Sequence, residues 1–116
     1  MAKRRMLSIE IIETDRFCTL PPSSQMLYMH LVLNADDDGF VDNVNNLMRV
    51  FGVERKYYRM LVERGYIIEF DTGISVITHW RVHNRVRADR YVPTRYQEEF
   101  RLLTLGEDSR YIKDFF

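Results

Sequence analysis

Cysteine is nearly missing from this chain. Cys18 stands alone, so no intramolecular disulfide can form, and such usage fits a reducing cytoplasm. Without a partner thiol or a catalytic motif around it, Cys18 reads as a small core or semi-buried residue rather than a nucleophile. No apolar run approaches the ~18 residues of a membrane span. The start, MAKRRMLSIE, is basic but lacks the apolar stretch of a signal peptide. Net charge is missing too: 17 Lys+Arg face 17 Asp+Glu, so the chain has no overall basic footprint of the kind nucleic-acid binders usually carry. There is no internal repeat, no glycine-rich phosphate loop and no Walker motif. His79 and His83 are four apart, but the Glu of an H-E-x-x-H motif is missing, so no zinc site is read there. No serine, histidine and carboxylate fall in a nucleophile motif. Nothing positive points to an enzyme, and no cofactor or metal is expected.

What is present suits one packed domain. The chain has 116 residues, 46% of them hydrophobic, with seven Phe, seven Tyr, one Trp and six Met. Its charge is unevenly spread. Residues 1–48 carry 4 basic and 7 acidic side chains, residues 49–95 carry 10 and 5, and residues 96–116 carry 3 and 5. A basic middle can steer an anionic ligand even on a neutral protein.

That middle contains the stretch that organises the rest, DNVNNLMRVFGVERKYYRMLVERG, residues 42–65. Val44, Leu47, Met48 and Phe51 sit at i, i+3, i+4 and i+7, which lays them on one helical face. Asp42 or Asn43 is positioned to cap that helix, and Gly52 to end it. A second helix begins near Val53 or Glu54. On a helical wheel Val53, Tyr57, Met60, Leu61 and the stem of Arg64 share one side. Arg55, Lys56, Arg59 and Glu63 share the other, flanked by Tyr58 and Val62. Two apolar stripes meeting across a glycine turn form the helix-turn-helix pattern. Arg55, Lys56, Tyr58 and Arg59 are what a DNA-reading second helix would present. The competing reading makes them ordinary solvated charges.

The flanking segments complete the layout. Lys3, Arg4 and Arg5 form a basic arm that either tracks phosphates or is a solubilising end. Ser8 caps a short helix from Ile9 to Thr14, and Phe17 and Leu20 read as core anchors. Pro21-Pro22 breaks the chain. A helix from Ser23 to Ala35 follows, capped by Ser23 or Ser24, with Leu27, Tyr28, Leu31 and Asn34 along one face. It is apolar nearly all round, so it should be the most buried helix. His30 within it has no partner at ligand spacing. Asp36-Asp37-Asp38 lacks the alternation and distant Glu of an EF-hand loop; it reads as a helix end and turn, with Gly39 supplying positive φ. A metal-dependent nuclease on these three acids is the remote alternative. Phe40-Val41 is a short strand. Tyr66–Phe70 and Ile74–Thr78 flank Asp71-Thr72-Gly73 as a β-hairpin, whose acidic tip is a poor phosphate partner. The order helix, strand, helix, helix, strand, strand is that of a winged helix.

Beyond the hairpin, HWRVHNRVRADRYVPTR sets Arg81, Arg85, Arg87, Arg90 and Arg95 against one acid, Asp89. Aromatics among arginines suit stacking and phosphate contact. The alternative is a connector in which Trp80 fills the core and the arginines pair with the aspartate turn. A tail helix from Thr94 to Leu105 is expected, with Tyr96, Phe100 and Leu103 on one side and Gly106 as its stop. Tyr111, Ile112, Phe115 and Phe116 would pack on the domain or on a second copy.

The runs QMLYMHLVLNADDDGFVDN, VITHW and RADRYVPTRYQEE resemble the N-terminal domain of phage replisome organisers, a family related to DnaD-like primosome proteins. The likeness spans roughly residues 3–105. It implies a winged-helix domain that binds DNA at or near an origin, self-associates and helps recruit a helicase loader. Many members continue into a second helical domain, whereas this sequence ends at Phe116; a short stand-alone form or part of a longer chain is expected. The resulting expectation is an α+β, mainly helical fold: a winged helix-turn-helix with a small antiparallel sheet over residues 1–90. Residues 91–116 would be an extension with a short helix, part of the same unit. The expected role is non-enzymatic binding of double-stranded DNA in replication initiation, as a homo-oligomer in the bacterial cytoplasm. Arg55, Lys56, Tyr58 and Arg59 would meet the groove, and Arg81, Arg85, Arg87, Arg90, Lys3, Arg4 and Arg5 would meet phosphate. A protein–protein assembly module and a transcriptional regulator are the alternatives.

Overall fold

A computed structural model describes residues 4–114. Lys3 of the basic arm and Phe115-Phe116 of the apolar end lie outside the described residues.

The longest helix forms the centre. It is α3, Pro22–Asn34, following two single-turn helices, α1 (Ile9–Ile12) and α2 (Asp15–Cys18). Ser8 caps α1 as expected, its hydroxyl accepting from Glu10 N at 3.2 Å. The first helix then stops early, because the Thr14 hydroxyl accepts from Phe17 N and starts α2. Neither Ser23 nor Ser24 caps α3. Pro22 occupies its first turn, where a missing N–H costs nothing, and Ser24 Oγ instead donates to Tyr57 O at 2.9 Å. Leu27, Tyr28, Leu31 and Val32 of α3 are fully buried, each apolar side chain contributing roughly 1.5–3 kcal/mol. Phe17, Tyr28 and Tyr66 meet edge to face with ring centroids 5.2–6.0 Å apart. Cys18 departs from its expected place and is exposed.

Strand β1 (Phe40–Val41) leads into α4 (Val44–Phe51) and α5 (Arg55–Glu63). Gly52 ends α4 at φ 65°, with Val53 N donating back to Met48 O at 2.8 Å. Asn43 stands at the cap position of α4 but its side chain makes no capping bond. Asp42 is drawn away by Arg95 Nη2, 3.0 Å off, and by the Tyr96 hydroxyl. Val44, Leu47 and Met48 turn inward, while Phe51 stays 39% exposed and stacks on His30. The hairpin strands β2 (Ile67–Glu69) and β3 (Ser75–Ile77) follow, joined through Gly73 at φ 86°. The sheet runs β1-β3-β2, antiparallel throughout, with Phe40 opposite Val76 and Ile68 opposite Val76 from the other side.

The tail corrects the expected helix. α6 (Trp80–His83) and α7 (Gln97–Phe100) are single turns, and residues beyond α7 form a second hairpin, β4 (Leu103–Leu105) with β5 (Tyr111–Lys113). Gly106 opens that hairpin turn rather than stopping a helix: its N–H donates to Arg110 O at 2.8 Å. Tyr111 anchors the hairpin, buried against the domain, with its hydroxyl donating to Asp38 O and its N–H to Thr78 O. The molecule is thus an α+β domain of seven helices, a three-stranded antiparallel sheet and a two-stranded hairpin among the described residues. No helix among these residues is long and apolar enough to cross a membrane.

Candidate nucleic-acid interface

The exposed face of α5 is set by which of its residues the core takes. Leu61 and Tyr58 are three apart, so they share a face, and both are buried; Tyr57 and Met60 are half-buried. Tyr58 was expected on the DNA side, and its burial corrects that reading. Its hydroxyl lies 2.6 Å from Ser75 Oγ, and burial pushes the phenol up to about 12. Arg55, Lys56 and Arg59 are left toward solvent. Arg55 donates to Asn45 of α4 and lies over the Tyr58 ring at 5.8 Å. Lys56 makes a loose 3.9 Å pair with Glu54. Arg59, its side chain 43% exposed, pairs with Glu69 at 2.6 Å, and that hydrogen bond holds its pKa above the usual arginine value. Two guanidiniums and an ammonium therefore stand within two turns, one of them neutralised by β2.

The other predicted contacts divide. Arg85, Arg87 and Arg90 are exposed in the segment after α6, with Arg87 paired to Asp89 at 3.2 Å. Arg4 is exposed. Arg5 is not free to grip phosphate, and Arg81, with its side chain 42% exposed, is partly engaged by the protein. The Arg5 side chain is 3% exposed; it donates to Ala35 O at 2.8 Å, lies 3.0 Å from Asp37 Oδ1 and sits over the Trp80 ring at 5.2 Å. Its contact with Asp37 is an ion pair without hydrogen-bond geometry. Arg81 donates to Asp38 Oδ1 at 3.3 Å and to the Tyr111 hydroxyl at 3.3 Å.

These two arginines belong to a buried polar centre that sequence reasoning saw only as a turn. Asp38 is fully buried and accepts from Tyr91 OH (2.7 Å), Thr94 N (2.8 Å) and Arg81. Asp37 accepts from Val92 N, and its carbonyl takes the Trp80 indole N–H at 2.9 Å. Burial, then the bond to Asp38, pushes the Tyr91 phenol up to about 12, so it stays a donor. Gly39 is required here: at φ 92° a Cβ would stand 2.6 Å from the Trp80 ring. Of the arginines after the hairpin, the pairing with the aspartate turn holds for Arg81 and not for Arg85, Arg87 or Arg90; Arg5, expected in a phosphate-tracking arm or a solubilising end, meets the turn as well. Against the metal reading of the turn, Asp36 and Asp38 accept from protein donors and Asp37 Oδ1 lies against the Arg5 cation. Among the described residues no cluster of metal-ligating side chains is found.

Hydrogen bonds tie the segment from Arg81 to Arg95 to Asp37, Asp38 and Asp42 rather than to α5. Arg95 is an exposed cation that sequence reasoning left out of the site; its pairing with Asp42 places it at the start of α4. The β2–β3 hairpin tip turns away from anion binding, with the Thr72 hydroxyl donating to Glu99 Oε2 at 2.7 Å. Comparison of the chain with protein-family models, with curated proteins and with solved structures gives no match.

Proposed function

We propose that this chain is a winged-helix, non-enzymatic DNA-binding module, with α5 as its reading helix and the β2–β3 hairpin as a wing that touches DNA little. The observation that carries this reading is the outer face of α5, where Arg55, Lys56 and Arg59 stand free of the core on the second helix of a glycine-turn pair. Arg85, Arg87, Arg90 and Arg4 add phosphate contacts, and Arg95 joins them. Phosphate contacts position a protein without specifying sequence. The replication context, with duplex origin DNA, self-association and a helicase loader as partner, rests on the resemblance to replisome organisers.

The test is binding to labelled duplex and single-stranded DNA across a salt series. Each phosphate contact adds about 0.9 to the slope of log K against log salt on duplex. We expect the Arg55→Ala/Arg59→Ala double variant to flatten that slope by about 2 while melting at the wild-type temperature. Absence of binding at low salt overturns the reading.

A second reading, an assembly module, is favoured by one observation. Leu33 is 56% and Val50 64% exposed, and Phe51 beside Val50 is stacked on His30, one turn before Leu33. Truncation after Gly106 does not test it, because that cut removes Tyr111 from the core. Val50→Asp with sedimentation does: loss of self-association with DNA binding retained assigns that face to assembly.

A further inference from the structure

The outer edge of β2 carries an inference independent of DNA binding. Among the described residues β2 pairs only with β3. Thr78 N donates to Tyr66 O and Phe70 N to Ile74 O. Alternate residues of an antiparallel strand face its partner, so Ile68 is turned to β3, and the backbone groups of Ile67 and Glu69 point away from the sheet. The second hairpin forms the opposite wall. Gly106 N donates to Arg110 O and Asp114 N to Leu102 O, so Arg110, Ile112 and Asp114 face β4, and Tyr111 and Lys113 face outward. Tyr111 N is taken by Thr78 O; among the described residues the Lys113 backbone meets no strand besides β4.

Between these two edges lies a groove of about 420 Å³. Val62, Ile67, Ile68 and Ile112 make it apolar. Thr78 also lines it, and the Thr78 hydroxyl is buried with no hydrogen-bond partner, a costly state for a polar group. Arg110 and Lys113 stand on its rim, Arg110 holding an exposed 3.6 Å pair with Asp108. Glu69 is the acid of the groove, and its charge is met by Arg59.

We propose that this groove binds an extended segment of a partner protein, in which apolar residues alternate with aspartate or glutamate, as an added strand on β2. Main-chain bonds to Glu69 supply affinity, Ile67 being only 1% exposed, and alternate side chains supply specificity. The apolar ones fill the groove and the carboxylates meet Arg110 and Lys113. The probe is a fluorescein-labelled peptide alternating valine with glutamate, titrated into the full chain. Comparators carry lysine in place of glutamate, or N-methyl groups on alternate amides. We expect saturable anisotropy, with amide shifts at Ile67, Glu69 and Lys113. The Arg110→Glu/Lys113→Glu variant should weaken binding by about tenfold or more, and the N-methylated peptide should not bind. Equal binding of the lysine peptide, shifts that map elsewhere, or no binding overturns the proposal. So do the same amide shifts on raising protein concentration alone, which would give the edge to a second copy.

Discussion

At the Asp36–Asp38 turn arginines reach for buried carboxylates, Arg5 covered and Arg81 still 42% exposed, while along α5 they end on partners at the surface. Arg5 and Arg81 end on buried carboxylates, with Trp80 beneath one and Tyr111 beside the other. Arg55 and Arg59 end on surface partners, Asn45 and Glu69. The residue type is the same. The difference lies in the acids. Burying Asp37 and Asp38 is costly unless donors or a paired charge meet them, and the turn has both: hydrogen bonds to Asp38 and to Asp37 Oδ2, and the Arg5 charge beside Asp37 Oδ1. No such demand exists on the outer face of α5, where Arg55 meets only a neutral amide and Lys56 only a loose acid, while Arg59 is held by Glu69.

The sharpest way to break this contrast is to empty the buried side. Asp38→Ala orphans Tyr91, Thr94 and Arg81 at once; we expect a loss of about 3–5 kcal/mol in urea denaturation. Arg85→Ala and Arg90→Ala should each stay within about 0.5 kcal/mol. Equal losses at Asp38 and Arg90 would erase the distinction.

A smaller effect separates buried from exposed polar groups by pH. His83 accepts from Ser8 N at 2.8 Å and lies 2.6 Å from the Tyr28 hydroxyl. Burial, with His79 nearby, pulls its pKa down to about 4. The unfolded imidazole titrates near 6.5, so between those values the unfolded chain binds the extra proton. The stability that His83 contributes is present above pH ~6.5 and declines as pH falls toward 4, by on the order of 2–3 kcal/mol. Thermal melts across that window should show the slope, and His83→Gln should flatten it.

The smallest effect tests the placement of Tyr58. Tyr58→Phe removes the bond to Ser75 and should cost about 1 kcal/mol while leaving the salt dependence of DNA binding unchanged. A flattened slope would return Tyr58 to the interface.

Helical spacing made the core of this fold legible. Leu27, Leu31, Val44, Leu47 and Leu61 are all buried as the 3.6-residue period requires, and Gly52 and Gly73 punctuate where glycine turns were read. What failed was local in a different sense. The tail helix rested on Tyr96, Phe100 and Leu103, but a hairpin turn at Gly106 and the anchoring of Tyr111 outweigh that spacing. The caps of α3 and α4 failed because Ser24 and Asp42 had better partners far along the chain, Tyr57 and Arg95. The α5 face was legible apart from Tyr58, whose partner Ser75 lies 17 residues away. The buried aspartates were the least legible part, since their partners Arg5, Tyr91 and Thr94 are 32 to 56 positions distant.

That distance sets a timetable for the chain as it is made. Asp38 waits for a hydroxyl 73 residues downstream, at Tyr111. At roughly 5–20 residues per second this is a delay of several seconds after Asp38 leaves the ribosome. Throughout that interval α3, α4 and α5 can meet and bury their apolar faces, but the aspartate turn still lacks its last donors. Its carboxylates stay hydrated until Tyr91 and Thr94 are made, and the Asp38 carbonyl until Tyr111 follows.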